Sequence, residues 1–166
     1  MSSTTKIIAG LALGLLLTLA SNGQVKTGQP FPALAGHALE GTLPDFAGQV
    51  VLVDFWATWC APCKASFPAY SELQREFGPR GFILLAVSVD KTAGPYEDFL
   101  QRFKPAFPTV RDGAQKLISE VRVPAMPTSY LLDRHGIVRE VHSGFHGEAT
   151  VKALREEITR LLEEKP

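Results

Sequence analysis

Two cysteines stand three positions apart in the run Trp59-Cys60-Ala61-Pro62-Cys63-Lys64, and the chain has no others. In a first helical turn this spacing brings the Cα atoms to roughly 5 to 6 Å, inside disulfide range, so a bond can open and close without rearranging the backbone. At a helix start, Cys60 would meet unpaired N–H groups and the positive end of the helix dipole, which stabilise a thiolate and lower its pKa. Cys60 is therefore the candidate attacking sulfur. Cys63, one turn further in and more buried, is the candidate that resolves a mixed disulfide by attacking Cys60. Pro62 suits the turn, since it supplies a helical φ and lacks an N–H that the helix would leave unpaired anyway. The chemistry on offer is thiol–disulfide exchange.

Other uses of the pair fit less well. Structural zinc would need a second ligand pair, and His37, His135, His142 and His146 form no compact ligand motif. A permanent staple across so short a loop would restrict the unfolded chain little. A Cu(I) site built from Cys60, Cys63 and Met126 remains a rival, because soft sulfur ligands suit that ion. A carboxylate stands close by in sequence: Asp54, between Val53 and Phe55. Burial would raise its pKa toward neutrality and make it a candidate proton acceptor for Cys63. The alternative is a partly solvated Asp54 that only hydrogen-bonds backbone.

The elements that must hold these residues can be read from periodicity. Residues 50–57 form an apolar run of branched and aromatic side chains, as in a strand buried on both faces. Phe67, Tyr70, Leu73 and Phe77 recur at helical spacing over residues 62–77, and Gly78-Pro79 ends that helix. Residues 82–89 read as a second buried strand, parallel to the first through a right-handed crossover. Helices are expected over 96–103 and 114–120, and strands over 128–132 and 137–141 around the turn Asp133-Arg134-His135-Gly136. Residues 148–164 carry an apolar stripe of Val151, Leu154, Ile158 and Leu161. Upstream, residues 37–41 predict a small N-terminal hairpin and residues 43–46 a short helical turn. The fold class is α/β, a mixed central sheet flanked by helices.

The chain has 166 residues, with 17 Lys+Arg against 17 Asp+Glu and 45% hydrophobic residues, which suits one globular domain and excludes a disordered chain. The charge balance argues against a nucleic-acid partner. Lys6 precedes 14 uncharged residues, 7–20, with Thr18-Leu19-Ala20 before Ser21, the pattern of a signal peptide. A short membrane anchor is the alternative, although a spanning helix takes about 20 apolar residues. Residues 21–29 then read as a flexible lead-in and residues 30–166 as the domain. Removing Lys6 with the leader leaves 16 basic and 17 acidic residues.

The stretch Val51-Leu52-Val53-Asp54-Phe55-Trp56-Ala57-Thr58-Trp59-Cys60-Ala61-Pro62-Cys63-Lys64 resembles the active-site segment of the thioredoxin superfamily. Val87-Ser88-Val89-Asp90, Phe107-Pro108, and the run from Val123 to Asp133 followed by Gly136 resemble its exported TlpA/ResA-like branch. The resemblance implies a thioredoxin-like fold, with Cys60 as nucleophile, Cys63 as resolver and Pro127 as a cis-proline facing the disulfide. A cis bond would expose the Met126 backbone to an extended client chain, with Met126, Trp59 and Pro62 as contacts around the thiol. That branch often has Asn at position 54 and an acidic residue at position 66. This chain has Asp54 and Ser66 instead, which shifts the proton role to Asp54.

The implied activity is reduction of protein disulfides in the cell envelope or periplasm, with no cofactor. Ala61-Pro62 lacks the histidine of strongly oxidising relatives and so favours a reductant or isomerase-like role. Partners implied by the resemblance are clients with cysteine pairs, such as apocytochrome c or copper-site proteins, and a membrane thiol reductase as electron donor. Thiol peroxidases share the fold, but their P-x-x-x-T-x-x-C pattern has Val53 and Ala57 here in place of Pro and Thr.

Overall fold

The structure is a computed structural model and describes residues 23–165. The expected leader, residues 1–20, lies outside them. Among the described residues no helix is long and apolar enough to cross a membrane.

In chain order the elements are β1 (Val50–Trp56), α1 (Ala61–Phe77), a 3-10 turn (Gly78–Arg80), β2 (Phe82–Ser88), α2 (Ala93–Phe103), β3 (Thr109–Arg111), α3 (Lys116–Val121), β4 (Thr128–Leu132), β5 (Val138–Ser143) and α4 (Glu148–Glu163). The five strands form one sheet in the order β3-β2-β1-β4-β5. β1 is central and buried at every position, which is why its sequence is a continuous apolar run rather than an alternating one. It pairs with β2 in parallel, from Val50 opposite Phe82 to Trp56 opposite Ser88. On its other side β4 runs antiparallel, with Asp54 opposite Ser129. This is the mixed, helix-flanked, thioredoxin-like sheet that the sequence predicts.

Side chains alternate across β1, so Leu52, Asp54 and Trp56 share the face covered by α1. Trp56 meets Phe67 of α1 with ring centroids 4.6 Å apart. Phe67 in turn touches Phe99 and Phe103 of α2 and Phe107, at 5.2, 5.4 and 5.1 Å. On the opposite face Phe55 stands edge-on to Tyr130, and Phe31 covers Tyr130 from the N-terminal segment.

That segment differs from the expected form. Residues 37–41 make no hairpin of their own. Glu40 exchanges backbone hydrogen bonds with Arg111 at 2.9 and 2.8 Å, capping the sheet beside β3. The Glu40 carboxylate also pairs with the Arg111 guanidinium, a buried charge that needs a counterion. Gly41 allows this close approach: its φ is +124°, and a Cβ there would lie 3.0 Å from the Thr109 carbonyl oxygen. Residues 43–46 are not helical, because Leu43 precedes Pro44 and is steered away from the α region. Their side chains instead line a cavity of about 450 Å³ with Phe31 and Leu34. The lead-in is docked from Val25, whose N–H bonds the Val121 carbonyl at 3.2 Å, while Gly28 and Gln29 bond Val138 at 2.7 and 2.9 Å. Strand β3 has no counterpart among the elements expected from sequence, and α2 begins three residues earlier than expected.

Candidate active site

The end of β1 delivers the chain into Ala57-Thr58-Trp59-Cys60, and a carboxylate braces this loop from the neighbouring strand. Asp90, just beyond β2, accepts the Thr58 N–H at 3.0 Å and the Thr58 hydroxyl at 2.8 Å. The Ser88 hydroxyl donates to the same carboxylate at 2.7 Å, and Arg111 donates to the Asp90 carbonyl at 3.1 Å. The loop two residues before Cys60 is therefore held by a charge-assisted clasp.

Cys60 is the N-cap residue of α1, with extended backbone, and its sulfur accepts the Cys63 N–H at 3.3 Å. An amide of the first helical turn thus points at the sulfur that would carry a thiolate charge. Pro62 lies in the first turn, as expected. Cys60 and Cys63 are joined by a disulfide with Cα atoms 5.3 Å apart. Cys60 keeps 6% of its surface exposed and Cys63 none, so an approaching molecule meets Cys60. Trp59 beside it is 68% exposed, the one large hydrophobic side chain so exposed among the described residues. The Met126–Pro127 peptide is cis, leading into β4. Met126 is half-buried against the core and Pro127 is buried.

Asp54 is completely buried on the face of β1 beneath α1. Desolvation raises its pKa from 3.8 to about 7, against the Ser129 hydroxyl, with Tyr70 behind it, which pulls it down. The Ser129 hydroxyl donates to Oδ1 at 2.7 Å, and among the described residues Oδ2 has no hydrogen-bond partner. The partly solvated alternative is thereby excluded. A carboxyl titrating near neutrality with one bare oxygen can take a proton from a thiol and give it up again. Ser66, where the resembling branch carries an acid, donates instead to the Cys63 carbonyl at 2.8 Å.

The remaining residues singled out from sequence have plain environments. Trp56 is core, Lys64 is exposed, and the His146 N–H donates to the Thr150 hydroxyl of α4 at 2.9 Å. Sequence reasoning did not find Thr58, Ser129 or Tyr70 as site residues, and noted Asp90 only within a motif. The polar pair Thr128-Ser129 opening the buried strand β4 was the available signal for Ser129.

Comparison with known proteins agrees with this geometry. Residues 27–141 match the AhpC/TSA family. The chain is 35% identical to the thiol-disulfide oxidoreductase ResA of Geobacillus kaustophilus over 67% of its own length and 63% of the relative's. It is 32% identical to ResA of Geobacillus thermodenitrificans over 81% of this chain and 79% of that one. Among solved structures, a DsbE-like thiol:disulfide interchange protein from Chlorobium tepidum superposes with a TM-score of 0.77 at 35% identity, covering 84% of this chain and 99% of the other. StoA from Bacillus subtilis gives 0.59 at 28% identity, over 68% and 84%.

Proposed function

Since the chain belongs to the AhpC/TSA family, and within it to the ResA-like thiol-disulfide oxidoreductases, we propose that it reduces disulfides of client proteins in the cell envelope. The observation that carries this reading is the unequal placement of the two sulfurs: Cys60 caps a helix beside exposed Trp59, while Cys63 is wholly covered. A dithiol arranged in this way attacks through one sulfur and releases through the other.

In the proposed cycle the Cys60 thiolate attacks one sulfur of a client disulfide. The client's other sulfur leaves as a thiolate, and a mixed disulfide remains. Cys63 then gives its proton to the Asp54 carboxylate and attacks the Cys60 sulfur. The second client sulfur leaves as a thiolate, and the proton taken up by Asp54 is returned to neutralise a released thiolate. Two electrons have moved from the Cys60/Cys63 pair to the client, and the pair is closed. A membrane thiol reductase would return those electrons by the same exchange in reverse.

Trp59, Pro62, Met126 and the cis Pro127 would form the client surface, an extended chain pairing with the Met126 backbone as an added strand. The absence of a histidine between the cysteines supports reduction over oxidation. Apocytochrome c haem-site cysteines and copper-site thiols are the client classes that the resemblance points to. Residues 1–20 would export the domain or tether it.

Replacement of Cys63 by Ala tests the roles within the pair. The Cys63→Ala protein is expected to accumulate mixed disulfides with clients, and mass spectrometry would identify them, whereas Cys60→Ala should trap none. Equal trapping by both variants contradicts the assignment.

A further inference from the structure

We propose that Ser129 and Tyr70 are positioning residues for Asp54, a two-hydroxyl relay that holds one carboxylate oxygen and keeps the other free for the proton. This rests on the reading of Asp54 as the proton acceptor. The relay has a fixed direction. The Ser129 hydroxyl has a single hydrogen, and at 2.7 Å from Asp54 Oδ1 it is donated to the carboxylate. Its oxygen then accepts from the Tyr70 hydroxyl, 3.1 Å away. All three groups are buried, away from bulk solvent, where such bonds are stronger.

The partners come from three elements. The β1–β4 register sets Ser129 directly beside Asp54, and Tyr70 reaches down from α1. Cys63, Ser66 and Tyr70 lie on one face of α1, at helical spacings of three and four. Helical side chains lean toward the N-terminus, so the Tyr70 hydroxyl is carried back toward the turn that holds the cysteines. The relay thus fastens the carboxylate beneath the part of α1 where the proton is released.

The consequence for chemistry lies in Oδ2, which is buried and has no partner among the described residues. When a proton arrives on Oδ2, neither hydroxyl has to turn, because Ser129 already donates to Oδ1 and Tyr70 to Ser129. Protonation and deprotonation leave the same hydrogen bonds in place. Donation to Oδ1 also favours the charged carboxylate and so limits the rise caused by burial. On that face of α1 the titratable groups are Tyr70 and, once the disulfide opens, Cys63. β2 presents Ala86 beside Asp54, β4 presents Ser129, and the inward positions of α4 are Thr150, Leu154, Ile158 and Leu161. Among the described residues these elements turn no lysine, arginine or histidine to the carboxylate, and His142 of β5, opposite Ser129 one strand further out, is paired with Glu157 of α4 at 2.7 Å, so the two hydroxyls are its immediate stabilisers.

The test is a carboxyl carbon NMR titration of Asp54 in the disulfide-closed protein, where no cysteine titrates. The midpoint should rise in Tyr70→Phe, further in Ser129→Ala, and by roughly one to two pH units in the double variant. Ser129→Thr, which keeps a hydroxyl, should restore it toward the parent value. In the reduced protein the pH profile of client reduction should move by the same amount. A titration that moves while exchange does not follow would leave the relay standing and remove Asp54 as the proton acceptor. An unmoved midpoint in the double variant overturns the relay, whatever the exchange rates show.

Discussion

Replacing Asp54 by Asn should make the protein slower and, at alkaline pH, more stable. Folding raises the Asp54 pKa from 3.8 to about 7. Between those values the folded state holds a proton that the unfolded state has lost, so stability falls as pH rises through this window and levels off above it. A tenfold change in proton affinity between the two states corresponds to about 1.4 kcal/mol, so the parent protein should lose roughly 2 to 3 kcal/mol between pH 5 and pH 8 through this one group. The Asp54→Asn variant lacks that loss. Its amide oxygen can still accept from Ser129, but its NH2 would occupy the site where Oδ2 has no partner, at a cost of about 1 to 3 kcal/mol. The net gain should therefore be small or negative at pH 5 and clearly positive at pH 8. Urea denaturation of the disulfide-closed proteins at both pH values measures this, and the difference between variant and parent cancels all other titrating groups. Stopped-flow reduction of a client disulfide by the pre-reduced proteins should show the variant slower by on the order of 10²-fold near pH 8, at the low end for a general base because thiols also lose protons to solvent. An equal stability difference at pH 5 and pH 8 would refute the buried carboxyl. An unchanged exchange rate would refute its role as proton acceptor.

Trp59 is exposed and adjoins Cys60, so Trp59→Ala should raise KM for a protein client roughly tenfold with little change in kcat, while stability moves by less than about 0.5 kcal/mol. Phe67 lies at the centre of the cluster formed with Trp56, Phe99, Phe103 and Phe107, and Phe67→Ala should cost about 3 to 5 kcal/mol in a denaturation series.

What could be read from the sequence was what is local. The cysteine spacing, the helix start at Cys60 and the continuous apolar run of β1 each depend on a few neighbouring residues, and each appears in the structure where expected. What escaped depends on distance along the chain. Ser129 meets Asp54 across 75 residues and Tyr70 across 59, Thr58 meets Asp90 across 32, and Glu40 meets Arg111 across 71. β3 has three residues, too few for a period-2 pattern, and exists because β2 offers it an edge. The N-terminal hairpin was expected from turn chemistry around Gly41, but the pairing partner proved to be β3 at Arg111 rather than the segment itself. Asp54 lies between the two cases: its anomaly was visible in an apolar run, whereas the hydroxyls that hold it were not.

The central claim is that Cys60 and Cys63 form a reducing pair, and its most direct test is their reduction potential, measured by equilibration with glutathione or a reference dithiol. A pair with no histidine between its cysteines is expected near the thioredoxin value of about −270 mV. About 30 mV corresponds to a 1.4 kcal/mol difference for this two-electron couple, so a potential near −120 mV, that of a strong oxidant, would differ by about five such steps and would contradict the reducing role.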